Sequence, residues 1–262
     1  VPHRRVVTRA GALLVHADDE FISPTLARDG VWEPAETAYL RWRLRPGMTF
    51  LDVGAHVGWF TRVASEAVGP AGRVVAVEPE PASLALLRAN VRHLPHGNVE
   101  VVGAAASDVH DGVVDLHLAP WNTGDHRTAW SGSPLRRTCA VPTVRLDALP
   151  VLRGGVDVAK IDVQGAEAAV WRGMAGLLAA SPGLVALVEH QPAALRDAGG
   201  DPERVLDRYA RDGFDLEVLY PGAPFPRRLV REEVAAYCAG QEHDHVTLVL
   251  TRRPGASRPS PG

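Results

Sequence analysis

The sequence predicts a Rossmann-like, doubly wound α/β fold on a mostly parallel, seven-stranded sheet, with an N-terminal extension and an inserted hairpin and loop. Three observations predict it. From Met48 onward, short β-branched runs alternate with amphipathic segments, as repeated strand–helix–strand units require. The first of these runs leads through a glycine turn into a helical stripe, in FLDVGAHVGWFT from Phe50 to Thr61. The chain has 262 residues and 46% hydrophobic side chains, enough to bury one substantial core.

Residues 1–45 read as the extension: a strand pair around Val6 to Val15, then a helix from Pro34 to about Leu44, with proline suited to the first turn. The main unit, residues 46–252, carries the strand candidates Thr49 to Val53, Arg73 to Glu78, Val99 to Gly103, Val156 to Asp162, Leu184 to His190, Phe214 to Leu219 and His245 to Thr251. Leu84, Leu87, Val91 and Leu94 fall on one helical face, as do Val170, Met174, Leu177 and Leu178; both stripes suit a helix that covers a sheet. From Val109 to Leu146 the alternation breaks around Trp121, Asn122, Gly124, Trp130, Gly132 and Pro134. A hairpin and an irregular loop, usable as a lid over an acceptor, are expected there. Residues 253–262, rich in Pro, Gly and Ser, are expected to be a disordered tail.

Composition narrows the function classes. A formal net charge of −3 and a pI near 6.4 give no general attraction for phosphate backbones, so nucleic acid is not an expected partner. No apolar run approaches the ~20 residues of a membrane span. Arg9, Gly11 and His16 interrupt any signal-peptide core. Cys139 and Cys238 lie far apart, with neither a disulfide framework nor a metal-type spacing, and a reducing cytoplasm is the expected compartment.

The glycine turn holds the first candidate site. Gly54 permits close approach of a cofactor and Gly58 close packing of the helix. Asp52 precedes the turn, where an acidic group suits a cofactor with ammonium and sulfonium centres better than a pyrophosphate. Glu78, at the end of the next strand, can accept hydrogen bonds from both ribose hydroxyls. Together they point to S-adenosylmethionine, with Ala55 in the turn. The His56 backbone N–H can approach the cofactor, and Thr61 either meets its methionyl carboxylate or only lies on the helix surface. Ser107 or Asp108 either accepts from the adenine amino group or starts a turn.

The second motif is VDVAKIDVQGAE from Val156 to Glu167, with TVRLDAL at Thr143 to Leu149 before it and GLVALVEHQP at Gly183 to Pro192 after it. With the glycine turn and the acidic strand end followed by Pro79, these blocks resemble the FkbM-type O-methyltransferases over roughly residues 30–220. Two departures stand out: Gln164 replaces the family's usual glutamate, and His56 its usual asparagine. The resemblance implies S-adenosylmethionine-dependent transfer to a hydroxyl of a sugar, polyketide or other specialised metabolite.

At the strand ends, Asp162 is placed to orient the acceptor hydroxyl or take its proton, and Glu189 and His190 are expected to converge with it. Either a direct general base acts there, or the three hold a divalent magnesium or manganese ion. Lys160 reads as a sheet-end ion pair, Glu167 either caps its helix or serves the site, and His243 and His245 read as a solvated strand entrance. A nicotinamide-dependent oxidoreductase is the alternative enzyme, disfavoured by Asp52 and the missing GxGxxG. A noncatalytic cofactor-binding protein is the alternative from another class.

Overall fold

The computed structural model describes residues 2–130, 132, 137–220, 222, 225–228, 231–239 and 245–253. An antiparallel hairpin opens the chain, β1 (His3–Thr8) and β2 (Gly11–His16). Helices α1 (Ile22–Asp29) and α2 (Pro34–Arg43) follow, then β3 (Thr49–Val53), α3 (Trp59–Val68), β4 (Arg73–Val77), α4 (Pro81–Val91) and β5 (Val99–Val102). The two-residue β6 (Ala105–Ala106) pairs in parallel with β8 (Arg137–Val144), and β8 pairs antiparallel with β7 (Val113–Leu118). This is the hairpin expected between Val109 and Leu146. The chain continues through β9 (Val158–Ile161), α5 (Glu167–Arg172), α6 (Ala175–Ala180), β10 (Val185–His190), α7 (Pro192–Asp197) and α8 (Pro202–Arg211). It ends with β11 (Phe214–Leu219), β12 (Arg227–Arg228), α9 (Arg231–Ala239) and β13 (Val246–Arg252).

Local chemistry explains the helix starts. Glu80 caps α4 by accepting from the Ala82 and Ser83 backbones, Asp201 caps α8 in the same way, and each helix has proline at its first position. The principal sheet runs β11-β13-β10-β9-β3-β4-β5, with β12 added outside β11. Among the seven long strands, β13 alone runs opposite to the other six. All seven expected strands are present, with ends shifted by a residue or two. Glu78 and Asp162 lie one residue beyond β4 and β9.

Strand periodicity divides the core between two faces. Leu51, Val53, Val75, Val77, Ala159, Ile161, Ala186, Val188, Leu248 and Leu250 face α5, α6, α8 and α9. Phe50, Val74, Val158, Val185, Leu187 and Val249 face α3 and the extension, whose Val6, Leu13, Leu26 and Leu40 join the same cluster. The sequence runs outward from β3 to β5 on one side and from β9 onward on the other, so the order reverses between β3 and β9. In open α/β sheets that reversal opens a crevice beyond the strand ends.

Among the described residues no helix is long and apolar enough to cross a membrane. Pro134 and residues 254–262 of the expected tail lie outside the described residues.

The first face is stitched by Trp171. Its ring meets Tyr209 and Phe214 edge-on, at 4.6 and 5.3 Å between centroids, and its Nε1 donates to Asp212 at 2.7 Å. Trp171→Ala is expected to lower the unfolding free energy by about 3–5 kcal/mol in a urea titration. Trp171→Phe should cost clearly less, because ring packing survives and Arg208 still donates to Asp212.

Candidate functional site

A cavity of about 510 Å³ fills the crevice. Its floor is the glycine turn after β3. Gly54 has φ 83°, and a Cβ there would sit 1.9 Å from the Asp162 carbonyl oxygen, so only glycine lets the ends of β3 and β9 approach this closely. Gly58 lies outside the cavity lining; its Cβ would meet Leu87 at 2.6 Å, consistent with helix packing. Ala55 and His56 line the cavity.

Glu78 anchors this end. Its carboxylate accepts from the backbone N–H of His56 and of Glu80, both at 2.8 Å, and it still lines the cavity. Burial, outweighing those hydrogen bonds, pushes its pKa up to about 8. The His56 N–H is therefore already committed to Glu78 and is not the free donor expected from the sequence. The His56 ring stacks on His16 at 5.4 Å and bonds Thr123 of the inserted loop at 2.8 Å. Burial pushes its pKa down to about 3.

Asp52 and Thr61 form the layer beneath. Asp52 is 1% exposed, accepts from the Thr61 hydroxyl at 2.6 Å and is pushed up to about 6 by burial. Neither residue lines the cavity, so direct contact of Asp52 with a cofactor, or of Thr61 with its carboxylate, is not what the geometry provides. Ser107 and Asp108 also lie outside it; Asp108 pairs with Arg172 at 2.7 Å. The wall where an adenine was expected is made instead of Ala104, Ala105, Ala106 and Leu116.

The far end is charged. Asp162 and Glu189 both line it, each one residue past the last β9–β10 pair, Ile161 with Val188. His190 does not. Adjacent strand residues point to opposite faces, which places Glu189 in the cavity and leaves His190 2% exposed outside its lining, with burial pushing it down to about 4. The histidine at this end is His245, whose Nε2 lies 3.7 Å from Glu189; it lines the cavity instead of a mere strand entrance. His243 lies outside the described residues.

Lys160, on the same face as Asp162, donates to it at 2.7 Å and lies 3.5 Å from Glu33 of the extension. Although burial opposes ionisation of both partners, their attraction holds Asp162 well below the usual carboxylate range and Lys160 above the usual amine range. Gln164, at the position of the family's usual glutamate, donates to Asp162 at 2.8 Å and also to Glu189. Burial, and then the charge of Asp162, pushes Glu189 well above the carboxylate range. Glu167 stays behind the cavity; one oxygen accepts from Gly165 at 3.1 Å, and burial pushes it up to about 7.

These residues do not fit a divalent metal: His190 faces away, and Asp162 already has the Lys160 ammonium on one oxygen and the Gln164 amide on the other. Among the described residues no group of three His, Cys, Asp or Glu is arranged to hold one. Trp121 and Trp130 do not line the cavity, although Asn122 to Thr128 of the same loop do. Sequence reasoning missed Trp32, Glu33 and Arg127 among the lining residues. The signal at Glu33 was a glutamate directly before a helix-starting proline, where Ser, Thr, Asp or Asn is the usual cap.

Residues 52–216 match the family described as methyltransferase FkbM domain. Over 98 residues the chain is 35% identical to the probable cobalt-precorrin-6B C(15)-methyltransferase (decarboxylating) of Sulfolobus acidocaldarius, covering 37% of this chain and 51% of that protein. The matched stretch thus spans about half the length of the curated relative. A SAM-dependent O-methyltransferase from Thermotoga maritima shares the fold at a TM-score of 0.50 and 15% identity, over 98% of this chain and 80% of that one. For the methyltransferase FkbM of Methylobacillus flagellatus the TM-score is 0.46 at 13% identity, over 82% and 50%.

The raised carboxyls fix a pH dependence. An acid whose pKa is higher folded than unfolded binds more protons in the folded state, so its contribution is lost as pH rises through the folded value. The lowered histidines, His56 and His190, act in the opposite direction, and their effect is complete by about pH 7, above the unfolded histidine value of about 6.5. Between pH 7 and 9 the acids near 8, Glu78 and Glu33, dominate. The ligand-free protein should therefore lose melting temperature across that range, and Glu78→Gln should flatten the slope in thermal scans.

Proposed function

This chain belongs to the methyltransferase FkbM domain family, and from that premise we propose that the protein transfers a methyl group from S-adenosylmethionine to a hydroxyl of a small molecule, such as a sugar, a polyketide or another specialised metabolite. One observation carries the reading. A single cavity joins the glycine turn and Glu78 at one end to Asp162, Glu189, Glu33 and Lys160 at the other. Its volume lies in the range of small-ligand sites.

The cofactor end suits a nucleoside. Glu78 keeps spare lone pairs for two ribose hydroxyls after accepting its two backbone N–H groups. Ala104 to Ala106 leave room for a flat base. S-adenosylmethionine, when bound, supplies a methyl group on a positively charged sulfur. The ionised Asp162, with Asp52 beneath it, provides the negative field that such a centre favours. Asn122 to Thr128 of the inserted loop line the cavity as well. Methyl transfer needs little more than alignment and removal of the acceptor proton.

Transfer to carbon is the rival reading, raised by the printed name of the Sulfolobus relative. Oxygen is favoured here by the carboxylates at the acceptor end, which accept hydroxyl protons and orient hydroxyl groups. Mass spectrometry and NMR of the product formed from a library of hydroxylated metabolites decide between them. A methoxy carbon supports the proposal, and a new carbon–carbon bond overturns it.

Two variants test the site. At pH 9, where Glu78 is ionised, Glu78→Ala should weaken S-adenosylmethionine binding by roughly ten-fold or more in calorimetry, since a charge-assisted hydrogen bond contributes about 1.5–3 kcal/mol. Asp162→Asn should weaken that affinity, because a charge facing the sulfonium is lost, and lower turnover by roughly two orders of magnitude. Unaltered turnover would remove Asp162 from the reacting centre.

A further inference from the structure

Glu33 occupies the N-cap position of α2, yet its side chain makes no capping hydrogen bond. Its backbone is left-handed, at φ 42° and ψ 75°, a conformation that strains any residue with a Cβ. Both choices break local rules at once. The turn is nevertheless pinned on two sides. Trp59 Nε1 donates to the Thr37 hydroxyl at 2.9 Å, and that hydroxyl donates to the Trp32 carbonyl at 2.7 Å. From β13, Thr247 donates to Glu36 at 2.7 Å. Held in this way, the Glu33 carboxyl lines the cavity 3.5 Å from Lys160.

We propose that Glu33 is the catalytic base for the acceptor, a residue supplied by the N-terminal extension from outside the family-matched segment. The proposal rests on the O-methyl reading above. As the acceptor oxygen attacks, its O–H bond breaks and the proton passes to a Glu33 oxygen. The oxygen's electron pair forms the new O–CH3 bond. The C–S bond breaks with its pair remaining on sulfur, which becomes a neutral thioether. The proton on Glu33 then leaves to solvent.

The other carboxylates at this end are less suited. Asp162 is held ionised by Lys160 and Gln164, which makes it a weak base. One Glu189 oxygen accepts from Gln164, the other lies 3.7 Å from His245 Nε2, and the carboxyl also shares a hydrogen bond with Asp162. The Glu33 carboxyl, by contrast, has Lys160 as its one side-chain partner among the described residues. The groups facing it are Lys160 on β9, Asp162 just beyond, Glu189 on β10 and Glu36 on its own helix. Burial, countered by Lys160 but reinforced by those acids, pushes it up to about 8. A carboxylate that basic accepts a proton far more readily than an exposed one.

Lys160 is the only lysine in the sequence, so lysine carrying carbon-13 at Cε gives one side-chain signal beside Glu33. In the 262-residue chain that signal should shift with an inflection near pH 8, and the inflection should vanish in Glu33→Gln. Persistence there overturns the proposal. Glu33→Gly removes the carboxyl and relieves the left-handed strain, so its melting temperature should not fall below wild type, and its affinity for S-adenosylmethionine should stay within about two-fold. Turnover by both variants, followed as thioether release at pH 8.5, should drop by roughly a hundred-fold or more with phenol as probe acceptor. With 4-nitrophenol, already ionised at that pH, the loss should stay below about five-fold. Equal losses with the two phenols would mean that Glu33 is only structural. Absence of cofactor binding by wild type would sink the O-methyl reading itself, whereas bound cofactor with undiminished phenol turnover in Glu33→Gln sinks only the base.

Discussion

The Lys160 side chain is only 7% exposed in the cavity wall, where an unmatched charge would carry a desolvation cost of several kcal/mol, and much of the charged end follows from matching it. Asp162 supplies the ionised partner at 2.7 Å, and the Glu33 carboxyl lies farther off at 3.5 Å. Both pairings depend on strand periodicity. Lys160 and Asp162 are two residues apart on the β9 register, and both face the side of the sheet that the extension covers. The Phe60 ring, 4.6 Å from the ammonium, closes the third side. The extension is thus tied to the sheet by apolar burial around Leu26 and Leu40 and by a charge at the site.

Backbone accounting governs the cofactor end in a similar way. Buried N–H groups need acceptors, and those of His56 and Glu80 converge on Glu78. That convergence shapes the turn and draws β3 and β4 together at their carboxyl ends. Strain collects around the same cavity. Of the non-glycine residues with positive φ among the described residues, Glu33, His56 and Gln164 all line it, and only Asp111 does not. Such conformations persist where surrounding contacts over-determine them, as Thr37 and Trp59 do for Glu33.

The family-matched segment, residues 52–216, contains the glycine turn, Glu78, Asp162 and Glu189. Trp32 and Glu33 precede it and His245 follows it, so the acceptor end is completed by elements from either side. The cavity lining therefore comes from the matched segment and from both of its flanks. A cofactor shared across a family needs a constant floor, while acceptors differ and call on variable walls.

The sequence alone determined the strands, the turn and the strand-end carboxylates, because these depend on neighbours a few residues away. Hydrophobic alternation marks a strand wherever it later pairs, and Gly54 between Asp52 and Gly58 specifies a tight turn in any context. Glu78, Asp162 and Glu189 were legible because open α/β sheets place ligands beyond strand ends. Partnership was decided only by the tertiary structure. Asp52 spends itself on Thr61, the His56 N–H on Glu78 and Asp108 on Arg172, choices that depend on which groups burial leaves within about 3 Å. The exchange of His190 for His245 turns on the pleat of β10 and on the antiparallel pairing that brings β13 alongside it. Glu33 is the extreme case. Its place in the cavity requires the extension to fold across the sheet from well over a hundred residues away in sequence, a distance over which no local pattern carries information.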